Sequence, residues 1–252
     1  MQIGAGWPTV LAVVTLTAIA ALAARAGGTG TARMSVWAAV RAVVQLAAVA
    51  GVIVFVVRHW WATAAFVVLM LAAATVTSAR RMTRHRRGLL AGLALLAGTA
   101  PVLAVVLATG AVPLTGVAVV PVAGIVIGGA MTATSLAGRR ALAQLTDRHG
   151  EYEAALALGL LPRDAAVLVI RSAAHDALVP ALDQTRTVGL VTLPGAFVGV
   201  LLGSGDPVRA AVAQILVLVG LLAAETVAAL VTVELVARQR IVRDPPHDRA
   251  PA

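Results

Sequence analysis

The chain has 252 residues, of which 60% are hydrophobic and 12% are charged, and its mean hydropathy is +0.94. A soluble globular domain carries about 25% charged residues, so this composition indicates a polytopic membrane protein. The absence of Cys excludes disulfides, thiolate metal sites and cysteine nucleophiles. All twenty basic residues are Arg. The chain therefore lacks the lysine of a phosphate-binding loop and any Schiff-base lysine.

Long apolar stretches predict seven membrane spans, because a helix needs about 20 apolar residues to cross a bilayer. The predicted spans cover residues 8–24, 35–57, 62–78, 89–108, 114–137, 185–202 and 208–236. No basic residue precedes the first span, so we interpret it as a retained helix rather than a cleaved signal peptide. The predicted fold class is all-α, with a single permease domain over residues 1–240. The polar segment 241–252 is predicted to be a disordered cytoplasmic tail.

The turns between the spans carry signals of a membrane interface. Trp60 and Trp61 follow the second span, where amphipathic rings suit the headgroup level. Five arginines crowd the segment from Arg80 to Arg87. A nucleic-acid patch is the alternative, but the flanking apolar spans favour an anchor near anionic lipid headgroups. Asp206 and Pro207 are typical of an N-cap and a first helical residue, which predicts that the last span begins there.

The distribution of arginine predicts the orientation in the membrane. With seven spans, sixteen of the twenty arginines fall on one side, in the first and third turns, the segment after the fifth span, and the tail. The opposite side holds only Arg58 and Arg209. Cytoplasmic loops carry the excess of basic residues, so we expect the N-terminus outside and the C-terminus in the cytoplasm of a plasma-membrane protein.

The cytoplasmic loop predicted over residues 138–183 contains a short motif of acidic and small residues. Glu153, Ala154, Ala155 and Gly159 follow the spacing E-A-A-x-x-x-G, and Glu151 lies two residues before them in the same candidate ATPase-coupling segment. This spacing resembles the loop by which permeases of ATP-binding-cassette (ABC) importers dock onto their ATPase. An ordinary amphipathic surface helix is the alternative. Further along the loop, residues 164–179 predict a second amphipathic helix, which we expect Pro180 to break or kink.

Polar groups inside apolar spans are candidates for a substrate pathway, because they are costly in hydrocarbon. The candidates in or beside the spans are Arg41, Gln45, Met131, Asp183, Pro194, Gly195, Gln214 and Glu225. Interhelical hydrogen bonds or ion pairs, such as Arg41 with Glu225 or Asp183, are the alternative interpretation. Pro194 is expected to interrupt the sixth span, and broken helices often line transport routes. The stripe Gly195, Gly199 and Gly203 indicates either helix packing or a dimer contact.

Several runs taken together resemble the FetB-type permeases, the membrane subunits of a bacterial ABC exporter linked to iron efflux. The clearest run is Asp183-Gln-Thr-Arg-Thr-Val-Gly-Leu-Val-Thr-Leu-Pro-Gly195, and others are Arg41 to Leu46, Pro121 to Ile125 and Ala177 to Pro180. Plant aluminium-tolerance permeases are similar. The resemblance implies a seven-span half-transporter that forms a permease homodimer and pairs with a separate ATP-binding subunit. One departure is Gly129, where the family pattern has Asn before Ala130-Met131.

The motifs present in the chain, and those missing from it, distinguish three classes of function: an enzyme, a permease subunit and a secondary carrier. No phosphate-binding loop, H-E-x-x-H zinc motif or triad spacing is present, so we do not expect an enzyme, and ATP would be bound by the partner subunit rather than by this chain. The favoured class is a permease subunit of an ABC exporter for iron or another metal, or for a non-metal small molecule. A stand-alone secondary carrier with Glu225 as its coupling site is the alternative.

Overall fold

The structure, a computed structural model, describes residues 6–243 of the chain. Within these residues the only regular secondary structure is helical. The helices are α1 (Trp7–Ala26), α2 (Ala32–Arg58), α3 (Trp60–Met82), α4 (Ala91–Ala108), α5 (Gly116–Asp147), α6 (His149–Ala157), α7 (Pro162–Ile170), α8 (Ser172–Thr187), α9 (Gly195–Ser204) and α10 (Pro207–Ala237), with a short 3-10 helix at Arg86–Leu90. Seven helical stretches in this described part of the chain are long and apolar enough to cross a membrane. The predicted all-α polytopic membrane fold is confirmed.

The chain divides into two compact units, Met1–Arg58 and His59–Ala252. In the first unit, α1 and α2 pack together, and Gly28 and Gly30 adopt positive φ angles of 62° and 69° in the turn between them. A Cβ atom disfavours such angles, so glycine suits both positions. Among the described residues of this unit, Val56 alone is buried.

The second unit is organised around α5 and α10, which pack along each other and against α3, α4 and α8. Alanine dominates the contacts between these helices, and Ala91, Ala94, Ala123, Ala130 and Ala228 are all fully buried. Small side chains let helix backbones approach closely, which is the usual way for helices to associate in lipid. The core of this unit is therefore a set of close, aliphatic helix contacts.

The start of α10 agrees with the prediction. Asp206 is its N-cap, and its carboxylate oxygen accepts hydrogen bonds from the backbone N–H groups of Val208 and Arg209, at 2.9 and 3.2 Å. Pro207 occupies the first helical position, where its missing N–H is not needed.

The prediction of a continuous sixth span over residues 185–202 is wrong. The helix ends at Thr187, and α9 resumes at Gly195 with only ten residues. The long apolar stretch in this region is instead Pro162–Thr187. Gly189 has a φ of +82°, which helical residues do not adopt, and Pro194 forms the extended N-cap of α9. The expected interruption near Pro194 is thus present, and it extends over residues 188–194.

Of the two effects predicted for Pro180, a break or a kink in the helix over residues 164–179, the break is not found. α8 runs through Pro180 to Thr187, and the helical stretch is divided at Arg171 instead. A proline removes one backbone hydrogen bond, and a helix that is packed on its neighbours can tolerate that loss. The packing of α8 against α5 and α10 supplies this support.

The segment predicted as a loop over residues 138–183 is largely helical. α5 extends to Asp147, and α6, α7 and most of α8 follow. The packing continues into the tail, because Ile241 is 1% exposed and Arg243 donates to the Thr146 hydroxyl at 3.2 Å. The rest of the predicted disordered tail, residues 244–252, lies outside the described residues.

Candidate functional site

The E-A-A motif forms the short helix α6, which begins directly after α5. Ala155 is buried against the rest of the unit, whereas Glu151, Glu153 and Ala154 are exposed. Gly159 follows the helix with a φ of +86°, and no neighbouring atom lies within 4 Å of the point that a Cβ would occupy there. The glycine is therefore required by the turn into α7 and not by close packing.

The two glutamates of α6 are engaged within the chain. Arg148 donates hydrogen bonds from Nε and Nη2 to the two carboxylate oxygens of Glu151, and His149 Nε2 lies 3.2 Å from Glu153 Oε1. The hydrogen bonds from Arg148 lower the pKa of the Glu151 carboxyl below its ordinary value, against a smaller opposing effect of desolvation. Arg148 Nη1 also donates to the backbone oxygen of Val169 at 2.9 Å. One side chain thus joins α6 to the end of α7.

The outward surface at the α6–α7 corner is apolar. We define the corner surface as Ala154, Ala157, Leu158 and Leu161, all of which are exposed. The side chains of Leu158 and Leu161 are 82% and 69% exposed. Exposed leucines of this kind, next to small alanines, form a surface that suits contact with another protein.

A cluster of charges fastens the same region to the end of α10. Arg163, at the start of α7, donates from Nε and Nη2 to the two carboxylate oxygens of Glu234, at 2.7 and 2.8 Å. Arg238, four residues further along the chain, also donates to Glu234, at 2.6 Å. A bidentate arginine–carboxylate pair has a defined geometry as well as a favourable energy. This pair therefore connects the start of α7 to the end of α10.

Glu225 lies at a cavity of about 290 Å³ between α5, α8 and α10. The side chain is 8% exposed, and no hydrogen bond or ion pair to it is found within residues 6–243. The polar side chains that share the cavity are Thr132 on α5 and Gln184 on α8, both exposed at its rim. An unpaired carboxylate in a membrane helix is energetically costly, so Glu225 stays a candidate for a functional position.

Gly129 shapes the wall of this cavity, which we call the Glu225 cavity. A Cβ atom at position 129 would overlap Glu225 Oε1 and Leu221 Cδ1. The predicted departure from the family pattern, Gly in place of Asn, is therefore the feature that leaves room for the Glu225 carboxylate.

The other predicted pathway residues lie in different surroundings. Met131 packs against the buried cluster of α3, α4, α5 and α10 and does not line the Glu225 cavity. Asp183 is exposed, with Arg186 Nη1 4.0 Å away. Gln214 is 5% exposed, and its Oε1 accepts from the Phe197 backbone N–H at 3.1 Å, so it satisfies the first turn of α9. Arg41 and Gln45 are exposed on α2, in the first unit.

A larger apolar cavity of about 960 Å³ lies between α9 and the first halves of α5 and α10. Gly195 and Gly199 line this cavity, and Pro194 precedes it as the N-cap of α9. No atom lies within 4 Å of a Cβ built at Gly195, Gly199 or Gly203. Within the described chain the glycine stripe therefore does not form a close helix contact.

The sequence reasoning identified Glu225 but not its surroundings. Thr132 and Pro180, which line the Glu225 cavity, are not among the pathway candidates that the sequence indicates. The helical spacing of residues around Glu225 indicates only neighbours on α10, whereas these residues belong to α5 and α8. Within residues 6–243, no group of three or more His, Asp or Glu side chains could hold a metal ion.

Comparison with known proteins identifies the family. The family described as "Uncharacterised protein family (UPF0014)" matches residues 7–241. The UPF0014 membrane protein STAR2 of Oryza sativa subsp. japonica is 33% identical over 202 residues, which cover 79% of this chain and 71% of that protein. The protein ALUMINUM SENSITIVE 3 of Arabidopsis thaliana is 30% identical over 198 residues, covering 77% and 72%.

A bacterial relative has a more specific name. The Escherichia coli (strain K12) protein named "Probable iron export permease protein FetB" is 31% identical over 147 residues, which cover 58% of this chain and 57% of that protein. No solved structure matches the chain. The predicted resemblance to FetB-type and plant aluminium-tolerance permeases is confirmed, and the chain is a multi-pass membrane protein that belongs to the UPF0014 family.

Proposed function

We propose that the chain is the transmembrane permease subunit of an ABC exporter that acts in metal efflux and is driven by a separate ATP-binding subunit. The observation that carries this proposal is the construction of α6. Arg148, just before α6, bonds both to Glu151 of α6 and to the backbone of α7, Ala155 on the inner face is buried, and the outer face is the apolar corner surface. A partner that moves the corner surface would move the helices behind it.

The charge distribution supports the location of this surface. Arg139, Arg140, Arg148, Arg163 and Arg238 all lie at the same end of the second unit as α6. By the positive-inside rule that end faces the cytoplasm, where an ATPase is available. A second permease copy and an ATPase dimer complete the proposed assembly. Iron is the proposed cargo because the FetB relative is named for iron export.

Reconstitution tests the proposal directly. The affinity-tagged chain is purified from its own membranes, and the nucleotide-hydrolysing protein that accompanies it is reconstituted with it in liposomes. We expect ATP-dependent movement of Fe²⁺ across the bilayer. The double variant Glu153→Ala, Gly159→Val should reduce transport by about tenfold or more, while the protein still inserts and the ATPase still hydrolyses ATP. Gly159→Val is disruptive because β-branched residues do not adopt its positive φ.

A matched control separates docking from a general change of surface charge. Asp147→Ala removes an exposed carboxylate at the end of α5, outside the corner surface, and should leave transport unchanged. Wild-type coupling in the double variant would contradict the proposed role of α6. Movement of metal by the chain alone, without ATP, would instead support the stand-alone carrier, for which the unpaired Glu225 is the specific observation.

A further inference from the structure

Three observations distinguish the Glu225 cavity from an ordinary packing defect. It contains a carboxylate that is 8% exposed and that has no partner within residues 6–243. Its other polar side chains, Thr132 and Gln184, come from two different helices. The neighbouring residue on α5 is Gly129, and any Cβ there would overlap the carboxylate. A cavity that arose only from imperfect packing would not need these three features together.

The position of the cavity suits a ligand that crosses the membrane. Glu225 is about 27 Å along α10 from Pro207 and about 18 Å from Ala237, at a rise of about 1.5 Å per residue. It therefore lies in the interior part of the helix, away from both ends. The break at residues 188–194 begins four residues after Gln184.

The chemistry of the lining defines the ligand class. The side-chain donors available are the carboxylate of Glu225, the hydroxyl of Thr132 and the amide oxygen of Gln184, and all of them are oxygen atoms. Oxygen donors suit hard cations such as Mg²⁺ and Mn²⁺, whereas softer metals prefer nitrogen and sulfur. A volume of about 290 Å³ also leaves room for several waters at about 30 Å³ each. Small divalent ions commonly bind one or two carboxylates and retain part of their hydration.

We propose that the Glu225 cavity binds a partly hydrated, hard divalent cation, with Glu225 as the charged ligand, Thr132 and Gln184 as neutral ligands, and Gly129 as the residue that leaves room for them. This assignment deepens the proposed function and rests on it for the direction of transport. The binding itself does not depend on the ATP-binding subunit. The carboxylate gains a partner and offsets one of the two positive charges of the ion, while the retained waters and the neutral oxygen donors solvate the remaining charge.

Binding is measured on the full chain in lipid nanodiscs with Mn²⁺ alone as the probe. The electron paramagnetic resonance signal of free Mn²⁺ decreases when the ion binds, so a titration gives both stoichiometry and affinity. We expect one site per chain. Glu225→Gln should raise the Kd of that site for Mn²⁺ by about tenfold or more, and each factor of ten is equivalent to about 1.4 kcal/mol. Thr132→Val and Gln184→Leu should each weaken binding less, because each removes one neutral donor.

A pair of glycine variants on the same helix tests the role of space. Gly129→Ala should weaken Mn²⁺ binding although every ligand remains, because the new methyl group displaces the carboxylate. Gly124→Ala is the matched control, since its Cβ would meet only the terminal methyl of Met70 at 3.0 Å, and it should bind as the wild type does. Asp147→Asn controls for the loss of an exposed carboxylate and should also leave binding unchanged.

The outcomes separate this inference from the proposed function. Absence of Mn²⁺ binding to the wild type, or equal binding by Glu225→Gln, would overturn the cation site and leave ATPase docking unaffected. If Glu225→Gln does not fold, Glu225→Asp carries the same test, because it keeps the charge and withdraws it by one methylene. Wild-type coupling in the α6 double variant, together with intact Mn²⁺ binding, would overturn only the ABC assignment.

Discussion

The side chain of Arg148 has two roles at the start of α6. It holds the Glu151 carboxylate through two hydrogen bonds, and it also satisfies the backbone oxygen of Val169. An acidic residue in the first turn also interacts favourably with the positive end of the helix dipole. These contacts orient α6 relative to α7, and the ion pair among them depends on pH.

The pH dependence of this ion pair has a definite sign. The pKa of Glu151 is lowered in the folded protein, so its contribution to stability is fully present above the unfolded value of about 4.3. The contribution is lost as the pH falls through the lowered, folded value. We expect Glu151→Gln to reduce the Tm slightly at pH 7 and to match the wild type at low pH, below the folded pKa.

Thermal unfolding in one detergent between pH 3 and pH 8 checks this expectation. Arg148→Gln is the comparison, because it also removes the hydrogen bond to Val169 and should therefore lower the Tm at every pH. A difference in Tm between Glu151→Gln and the wild type that stays constant from pH 3 to pH 8 would contradict a stabilising role of the ionised Glu151 carboxylate.

Among the helices, the contact between α4 and α10 depends on Gly98. A Cβ at this position would overlap the backbone oxygen of Ala224 and lie 3.0 Å from the Ala228 Cβ. A backbone atom cannot rotate away as a long side chain can, so the two helices would have to separate. Alanine at the facing positions shows that both helices contribute to the close approach.

Gly98→Ala should therefore destabilise the second unit although alanine is the better helix former. Overpacking lowers the free energy of unfolding by about 1–3 kcal/mol. For a chain of this size, each kcal/mol lowers the Tm by about 2–4 °C. Gly203→Ala is the matched control, since no atom lies within 4 Å of its Cβ, and it should be neutral or slightly stabilising. Equal Tm values for the two variants would show that the helices do not approach this closely.

At the scale of the second unit, α10 joins the two candidate sites. Glu234 receives Arg163 from α7, and Glu225 lies nine residues earlier on the same helix. Nine residues correspond to about 14 Å at a rise of about 1.5 Å per residue. The helix α10 therefore connects the charge cluster at α7 with the Glu225 cavity, and under the proposed function it is the element that would couple them.

The proposed orientation of the whole molecule can be tested against a background without reactive thiols, because the chain has no Cys. Gly150→Cys places a thiol on α6, and Ser204→Cys places one at the end of α9, and both positions are exposed. In intact cells, a membrane-impermeant maleimide should label position 204 and should label position 150 only after the membrane is broken. Labelling of position 150 from outside would reverse the orientation and exclude a cytoplasmic partner at α6.

Composition and local pattern were sufficient to predict the class of the protein and much of its plan. Membrane insertion depends on the length and apolarity of each segment, and capping depends on neighbouring residues, so the seven-span fold and the Asp206 cap could be predicted locally. The E-A-A motif likewise identified α6 from its spacing. Glu225 was recognisable because a charge within an apolar span is unusual whatever surrounds it.

Only the tertiary structure decided which residues share a site. Thr132, Gln184 and Glu225 are far apart in the chain and meet because α5, α8 and α10 pack together. Pro180 lies within α8 because the neighbouring helices support it. The break in the chain lies instead at residues 188–194, where Gly189 adopts a positive φ. The role of Gly129 also depends on the tertiary structure. The sequence shows a glycine at this position, but only the packing of α10 against α5 places the Glu225 carboxylate where a Cβ at position 129 would lie.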